Sequence, residues 1–280
     1  MVRLERRQQT QSMTDIDETD YLFDNSSSDG LAHMDMLSRV LDQHSTRIID
    51  RTGIGPGLNC LDVGAGGGSM SRWLADRVAP GGEVTAIDID TSRMPEHPGV
   101  KVHQHDLDDG LDGTLAGPYD LVHARLVLTH LPRRREIVHE LADVLAPGGW
   151  LVVGDVSARP LRVLSEHTAR DVGVWERIQH LSHEAVSPTG GIDLEWAHRI
   201  NDTMVEAGLQ ELYGIEVSET VDGGSPGALL HAALNAQAHA HLLGAGAQPW
   251  ELERYQELTR DPSFRTWFYQ FVCFRGRRPR

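Results

Sequence analysis

The sequence predicts an α/β fold, a mostly parallel sheet with helices on both faces. Three observations lead to it. The run Asn59-Cys60-Leu61-Asp62-Val63 reads as a buried strand, a glycine cluster from Gly64 to Gly68 follows at once, and Met70 to Val78 has the spacing of an amphipathic helix. Further strand-like apolar runs succeed this unit in order, and several end on a charged residue. A chain of 280 residues is long enough for one large α/β domain, or for a domain with a lid.

Each element has its own reason. Glycines follow the first strand because the backbone there must turn sharply and approach a ligand without a Cβ in the way. Pro80-Gly81-Gly82 closes the first helix as a turn. Glu83 to Ile87 reads as a second buried strand ending on Asp88, which lies 24 residues after Gly64. That is close to the roughly 20-residue interval of a ribose-binding acid, whose two oxygens can hold both ribose hydroxyls. Val100 to His105 alternates like a third strand and leads into Asp106-Leu107. Tyr119 to Arg125 is a fourth strand running into Leu126 to Leu131, and Leu145 to Asp155 is a Pro-Gly-Gly turn with a fifth strand.

Beyond Asp155 the pattern predicts an apolar-faced helix within 163–181, a helix over 192–207 ending at Gly208, and a sixth strand over 209–221. Gly223 to Pro226 breaks the chain. Helices are expected over 228–243 and 250–259, then a last strand over 266–274 and a frayed arginine-rich end. Residues 1–20 are polar and aperiodic, so the expectation is a disordered leader before a domain spanning 21–280.

The glycine pattern decides the ligand. A dinucleotide site asks for G-x-G-x-x-G, but Ser69 stands where the third glycine belongs. The pattern is instead Asp62-x-Gly64-x-Gly66-x-Gly68, and it resembles the signature of class I S-adenosylmethionine-dependent methyltransferases. Four later segments share the resemblance: Asp88-Ile89, Asp106-Leu107, the run from Tyr119 to Leu131, and the run from Leu145 to Asp155. The chemistry agrees. A pyrophosphate favours a bare helix N-terminus, whereas the ammonium and sulfonium of S-adenosylmethionine suit a nearby carboxylate.

The resemblance implies a Rossmann-like seven-stranded sheet of order 3-2-1-4-5-7-6, with the last strand antiparallel beside the fifth. It implies S-adenosyl-L-methionine as cofactor and S-adenosyl-L-homocysteine as product. Implied cofactor contacts are Asp62, Gly64, Ala65, Gly66 and Gly68 at the turn, and Asp88 at the ribose with Ile89 on adenine. Asp106 and the Leu107 backbone are placed at the adenine edge, Ala124 and Arg125 at the end of the fourth strand, and Tyr21 over the methionine end. Segments of about 157–191 and 224–262 exceed a minimal domain and are expected to roof the C-terminal strand edge as a lid.

His130 and Asp155 are the candidate catalytic residues. Related small-molecule O-methyltransferases place a histidine and an acid at these positions, so the resemblance implies that His130, oriented by Asp155, takes the acceptor's proton. The bland reading is that His130 only packs against the following helix. His123 reads as a satisfied core histidine. Fifteen histidines invite a metal, but neither His180-x-x-His183 nor His239 and His241 has a carboxylate or cysteine partner at ligand spacing, so no metal is expected.

A net charge of -15 argues against a nucleic-acid partner. With no apolar run of about 18 residues, no membrane partner is expected and the chain reads as cytoplasmic. Cys60 and Cys273 read as buried thiols. The functional expectation is methyl transfer to an O or N acceptor of a small, partly apolar molecule, in the manner of a specialised metabolite. The rival keeps the cofactor but performs cyclisation or rearrangement. A homodimer through the extra helices is a further expectation.

Overall fold

The computed structural model describes residues 28–111, 113–159 and 161–280; the expected leader of residues 1–20 and Tyr21 lie outside them. The chain opens with α1 (Ser28–Ile49), which the pattern reading does not assign. Then come β1 (Asn59–Val63), α2 (Ser69–Val78), β2 (Glu83–Asp88), β3 (Val100–Gln104) and β4 (Tyr119–Arg125). A 3-10 turn, Leu128–His130, leads to α3 (Arg134–Asp143) and β5 (Leu145–Ser157). The next part of the chain holds α4 (Ala169–Leu181), a π turn (Ser182–Val186), α5 (Ser187–Thr189), a 3-10 turn (Trp196–Arg199) and α6 (Ile200–Glu206). The chain ends with β6 (Gln210–Val217), β7 (Thr220–Asp222), α7 (Pro226–Gln237), α8 (His239–Gly244), α9 (Pro249–Leu258), β8 (Arg265–Trp267) and β9 (Gln270–Arg277).

Seven strands form one sheet in the order β3-β2-β1-β4-β5-β9-β6. β1 to β5 pair in parallel, and β9 runs antiparallel between β5 and β6. This is the expected Rossmann-like arrangement. Side chains alternate across it: Cys60, Leu121, Val152 and Phe271 join the core under α1 and α2, while Leu61, Val122, Leu151 and Val153 join the core under α3 and α6. Cys60 and Cys273 are buried free thiols.

The expected single strands over 209–221 and 266–274 each break in two. β7 and β8 leave the main sheet and pair with each other as a separate ribbon. Phe268 and Tyr269 are both buried, at 3% and 7% exposure. Adjacent residues on a continuous strand face opposite sides, so burying both beneath the extra helices requires the chain to kink between β8 and β9. The arginine-rich end is also tied down. β9 reaches Arg277, whose Nε donates to the Gly148 carbonyl at 3.0 Å, and Arg278 donates to the Asp143 carbonyl at 2.7 Å.

Helix starts shift for capping reasons. α4 begins only at Ala169, because Thr168 caps it by accepting the Asp171 N–H. Val163 instead bridges Thr266 beside the ribbon. The helix expected over 192–207 begins at Ile200, since Asp193 is drawn to the Leu128–His130 turn, where its N–H donates to the Thr129 carbonyl at 2.9 Å. Among the described residues no helix is long and apolar enough to cross a membrane, and no His, Cys, Asp or Glu cluster could hold a metal.

Candidate active site

The site begins where β1 ends. Gly64, Gly66 and Gly68 all take positive φ, at 63°, 53° and 72°. A Cβ on Gly64 would lie 2.0 Å from Val127 Cγ2, so the turn closes only because that atom is missing. The Gly66 N–H donates to Asp88 Oδ2 at 2.8 Å, and the Asp90 N–H donates to Oδ1 at 3.0 Å. Burial raises the Asp88 carboxyl above its ordinary range, partly opposed by these two N–H groups. Beside it Ile89 is 66% exposed, an apolar surface offered to a planar ligand. Asp106 accepts the Asp108 N–H at 2.9 Å and is exposed, while Leu107 is buried. A glycine cradle, a carboxylate and a bare apolar platform along the C-terminal edge of β1 and β2 fit an adenosyl cofactor.

Asp88→Ala should loosen the loop by removing the acceptor of Gly66. Charge-assisted hydrogen bonds contribute about 1.5–3 kcal/mol each, so the dissociation constant for S-adenosylhomocysteine should rise at least about tenfold by calorimetry. An unchanged constant would remove Asp88 from the site.

Asp62 serves from beneath. It is 1% exposed, and both oxygens are engaged: Oδ1 with His123 Nδ1 at 2.7 Å, Oδ2 accepting from Ser71 Oγ at 2.5 Å. Its carboxylate braces β1 against β4 and α2 rather than opening toward a ligand. His123 is accordingly a core residue with a partner. Ala124 is buried, and the Arg125 guanidinium is committed to α1, donating to Asp42 Oδ1 at 2.7 Å and Ser45 Oγ at 3.3 Å.

That contact reveals residues the sequence reading missed. α1 lies over the glycine loop, with Met34 Sδ 3.6 Å from where a Gly66 Cβ would be. Ser69, the residue that departs from a dinucleotide pattern, donates to Asp42 at 3.3 Å and accepts from Ser38 Oγ at 3.0 Å. The available signal was the apolar spacing of Met36, Leu37, Val40 and Leu41, residues that reach or line the core.

The neighbouring wall is the segment after β4. Leu126 has φ 55°, a left-handed conformation unusual for a non-glycine residue, held by its N–H donating to the Gly154 carbonyl at 2.9 Å. It aims Val127 over Gly64 and starts the turn carrying His130. Burial, reinforced by nearby Arg134, holds the His130 imidazole down at about 4. The ring is therefore neutral at physiological pH.

Asp155 is not at an open pocket edge. It is 0% exposed, on the α3 and α6 side of β5, facing the Trp196 indole and the Thr129 backbone N–H. Neither carboxyl oxygen closes a full hydrogen bond. Burial pushes the group up to about 8, with Trp196, Arg134 and Thr129 only partly opposing. Asp155 adjoins the His130 segment through Thr129, and the two side chains share no described hydrogen bond.

This carboxyl has a consequence for stability. Its folded value lies above the ordinary value near 3.9, so the folded chain holds the proton that the unfolded chain has lost. Stability should thus fall as pH rises from about 4 to about 8, by no more than ~5 kcal/mol. Asp155→Asn should flatten this slope and unfold at a higher temperature than the parent protein at pH 8. A parallel pair of melting curves against pH would count against a buried, raised carboxyl.

Comparison with known proteins extends the geometry. Residues 31–212 match the profile of a family described as a methyltransferase domain. The chain is 28% identical over 261 residues to 27-O-demethylrifamycin SV methyltransferase of Amycolatopsis mediterranei, covering 88% of each chain. It is 29% identical over 137 residues to methyltransferase str2 of Strobilurus tenacellus, covering 48% of this chain and 49% of that one. The chain thus spans about half the length of several relatives it matches. Phosphoethanolamine N-methyltransferase 2 of Haemonchus contortus, solved with S-adenosyl-L-methionine, superposes with a TM-score of 0.56 at 14% identity, covering 95% of this chain and 61% of that one; this shows a shared fold.

Proposed function

We propose that this chain, which belongs to the methyltransferase-domain family, uses S-adenosylmethionine to methylate an O or N atom of a small, partly apolar molecule of the specialised-metabolite kind. The observation that carries this reading is the juxtaposition of the Gly64–Gly68 cradle with the Leu126–His130 wall, closed by the fit of Val127 over Gly64. A relative named for an O-methylation, covering 88% of both chains, supports the acceptor class.

S-adenosylmethionine supplies a methyl group on a positively charged sulfur, a leaving group already activated. The protein's task is then largely alignment, which contributes up to roughly 7–11 kcal/mol in favourable cases. The glycine turn, Asp88 and Ile89 fix one partner. The lid segments, about 157–191 and 224–262, enclose the other and exclude water. His130, neutral at physiological pH, takes the proton that an alcohol acceptor loses as the new bond forms. Asp155, largely neutral near pH 7, backs the His130 segment where it faces the Thr129 N–H rather than acting as a base.

The test uses methyl-labelled S-adenosylmethionine, the purified protein and small-molecule extract from the source organism, followed by mass spectrometry. A labelled product with S-adenosylhomocysteine release establishes transfer and identifies the acceptor. Substrate consumed with no label moved would favour cyclisation or rearrangement instead.

A further inference from the structure

The roof over the C-terminal strand edge holds a polar cluster that the reaction described above does not use. His231 on α7 is 0% exposed, and neither ring nitrogen has a hydrogen-bond partner. Its ring centroid lies 4.5 Å from that of Tyr269, and the ring centroid of His183 lies 5.5 Å from that of the same tyrosine. His183 Nε2 is also buried without a partner, as are Gln179 Oε1 and Asn235 Oδ1 nearby. Buried polar atoms are nearly always paired, because taking one out of water without a new partner is costly. Several together in one roof mark a place built to be completed by another molecule.

Two further features agree. His183 sits on the π turn Ser182–Val186, an interruption that is common at functional sites. Tyr269 directly precedes Gln270, which pairs with Ser157, the last residue of β5. The cluster therefore stands at the strand edge where α/β ligands bind. From the end of β4, where His130 follows, to β9 is two strand spacings, roughly 10 Å. Burial keeps both imidazoles neutral, His183 held down at about 4 and His231 at about 3, so each can donate one hydrogen bond and accept one.

Resting on the methyl-transfer reading, we propose that His183 and His231, both packed against the Tyr269 ring, bind a second polar group of the acceptor, a hydroxyl or carbonyl. The cluster then decides which acceptors are taken, by rejecting those that leave its imidazoles unpaired. Phe268, with its ring 5.3 Å from that of His231, supplies apolar surface to the body of the molecule.

The test separates binding from turnover. The full-length protein, labelled with nitrogen-15 histidine and saturated with S-adenosylhomocysteine, is titrated with phenol and followed by NMR. The His231 and His183 ring signals should shift. Phenol affinity should fall about tenfold in His231→Phe and in the milder His183→Leu, with S-adenosylhomocysteine affinity unchanged. Silent ring signals would overturn the assignment, as would equal phenol affinity in a folded His183→Leu protein. Loss of the methyl-transfer reading would show separately, as absence of labelled product while phenol still binds.

Discussion

Gly64→Ala should eliminate measurable S-adenosylhomocysteine binding and lower stability by about 2–5 kcal/mol. Two effects add. A side chain at φ 63° carries a penalty of roughly 1–2 kcal/mol. The new Cβ also meets Val127 Cγ2 at 2.0 Å, an overlap that core substitutions place at about 1–3 kcal/mol. Neither can relax cheaply, because Val127 follows the strained Leu126 and Gly64 leads directly into the loop whose Gly66 N–H meets Asp88. Val127→Ala in the same chain should recover part of the stability and some binding, since it removes the overlap but not the backbone penalty. Calorimetry and thermal unfolding of the single and double variants decide it. Normal binding by Gly64→Ala would mean that the turn is not the cradle.

His130→Ala should reduce kcat by about 10²–10⁴-fold for an alcohol acceptor, with S-adenosylhomocysteine affinity and fold intact. The pH profile gives an independent mark. An ordinary imidazole would lose its free base below pH of about 6.5. His130, held down at about 4, should instead keep the rate level from neutral pH to about 5. Asp155→Ala should lower the rate less, because the carboxyl acts through Thr129. Near wild-type turnover by both variants, with the fold preserved, would remove proton transfer by this pair from the mechanism.

Much of this molecule was written locally. Asp62, the glycines, Asp88 and the five parallel strands are legible because each depends on near neighbours: period-two burial, a turn needing positive φ, a carboxylate at a strand end. The strand order followed from resemblance on those same segments. The helix α1 had a local signal in its apolar spacing, but its role, Asp42 meeting Ser69 and Arg125, joins residues far apart in the chain. The break between β8 and β9 was invisible for a similar reason. A run from Thr266 to Phe274 looks like one strand until Phe268 and Tyr269 are both seen to pack on His231 of α7.

The roles of the acids divide along the same line. Sequence put Asp62 late in the first strand and Asp88 and Asp155 at strand ends, and spacing marked only Asp88, as a ribose-binding acid. Only the packing decided that Ile89, next to Asp88, is exposed, that Asp62 is spent on His123 and Ser71, and that Asp155 is sealed against Trp196. Local pattern thus determined the scaffold and the cofactor class. Charge state, accessibility and the unpaired ring nitrogens of His183 and His231 were set by long-range burial, which no stretch of neighbouring residues encodes.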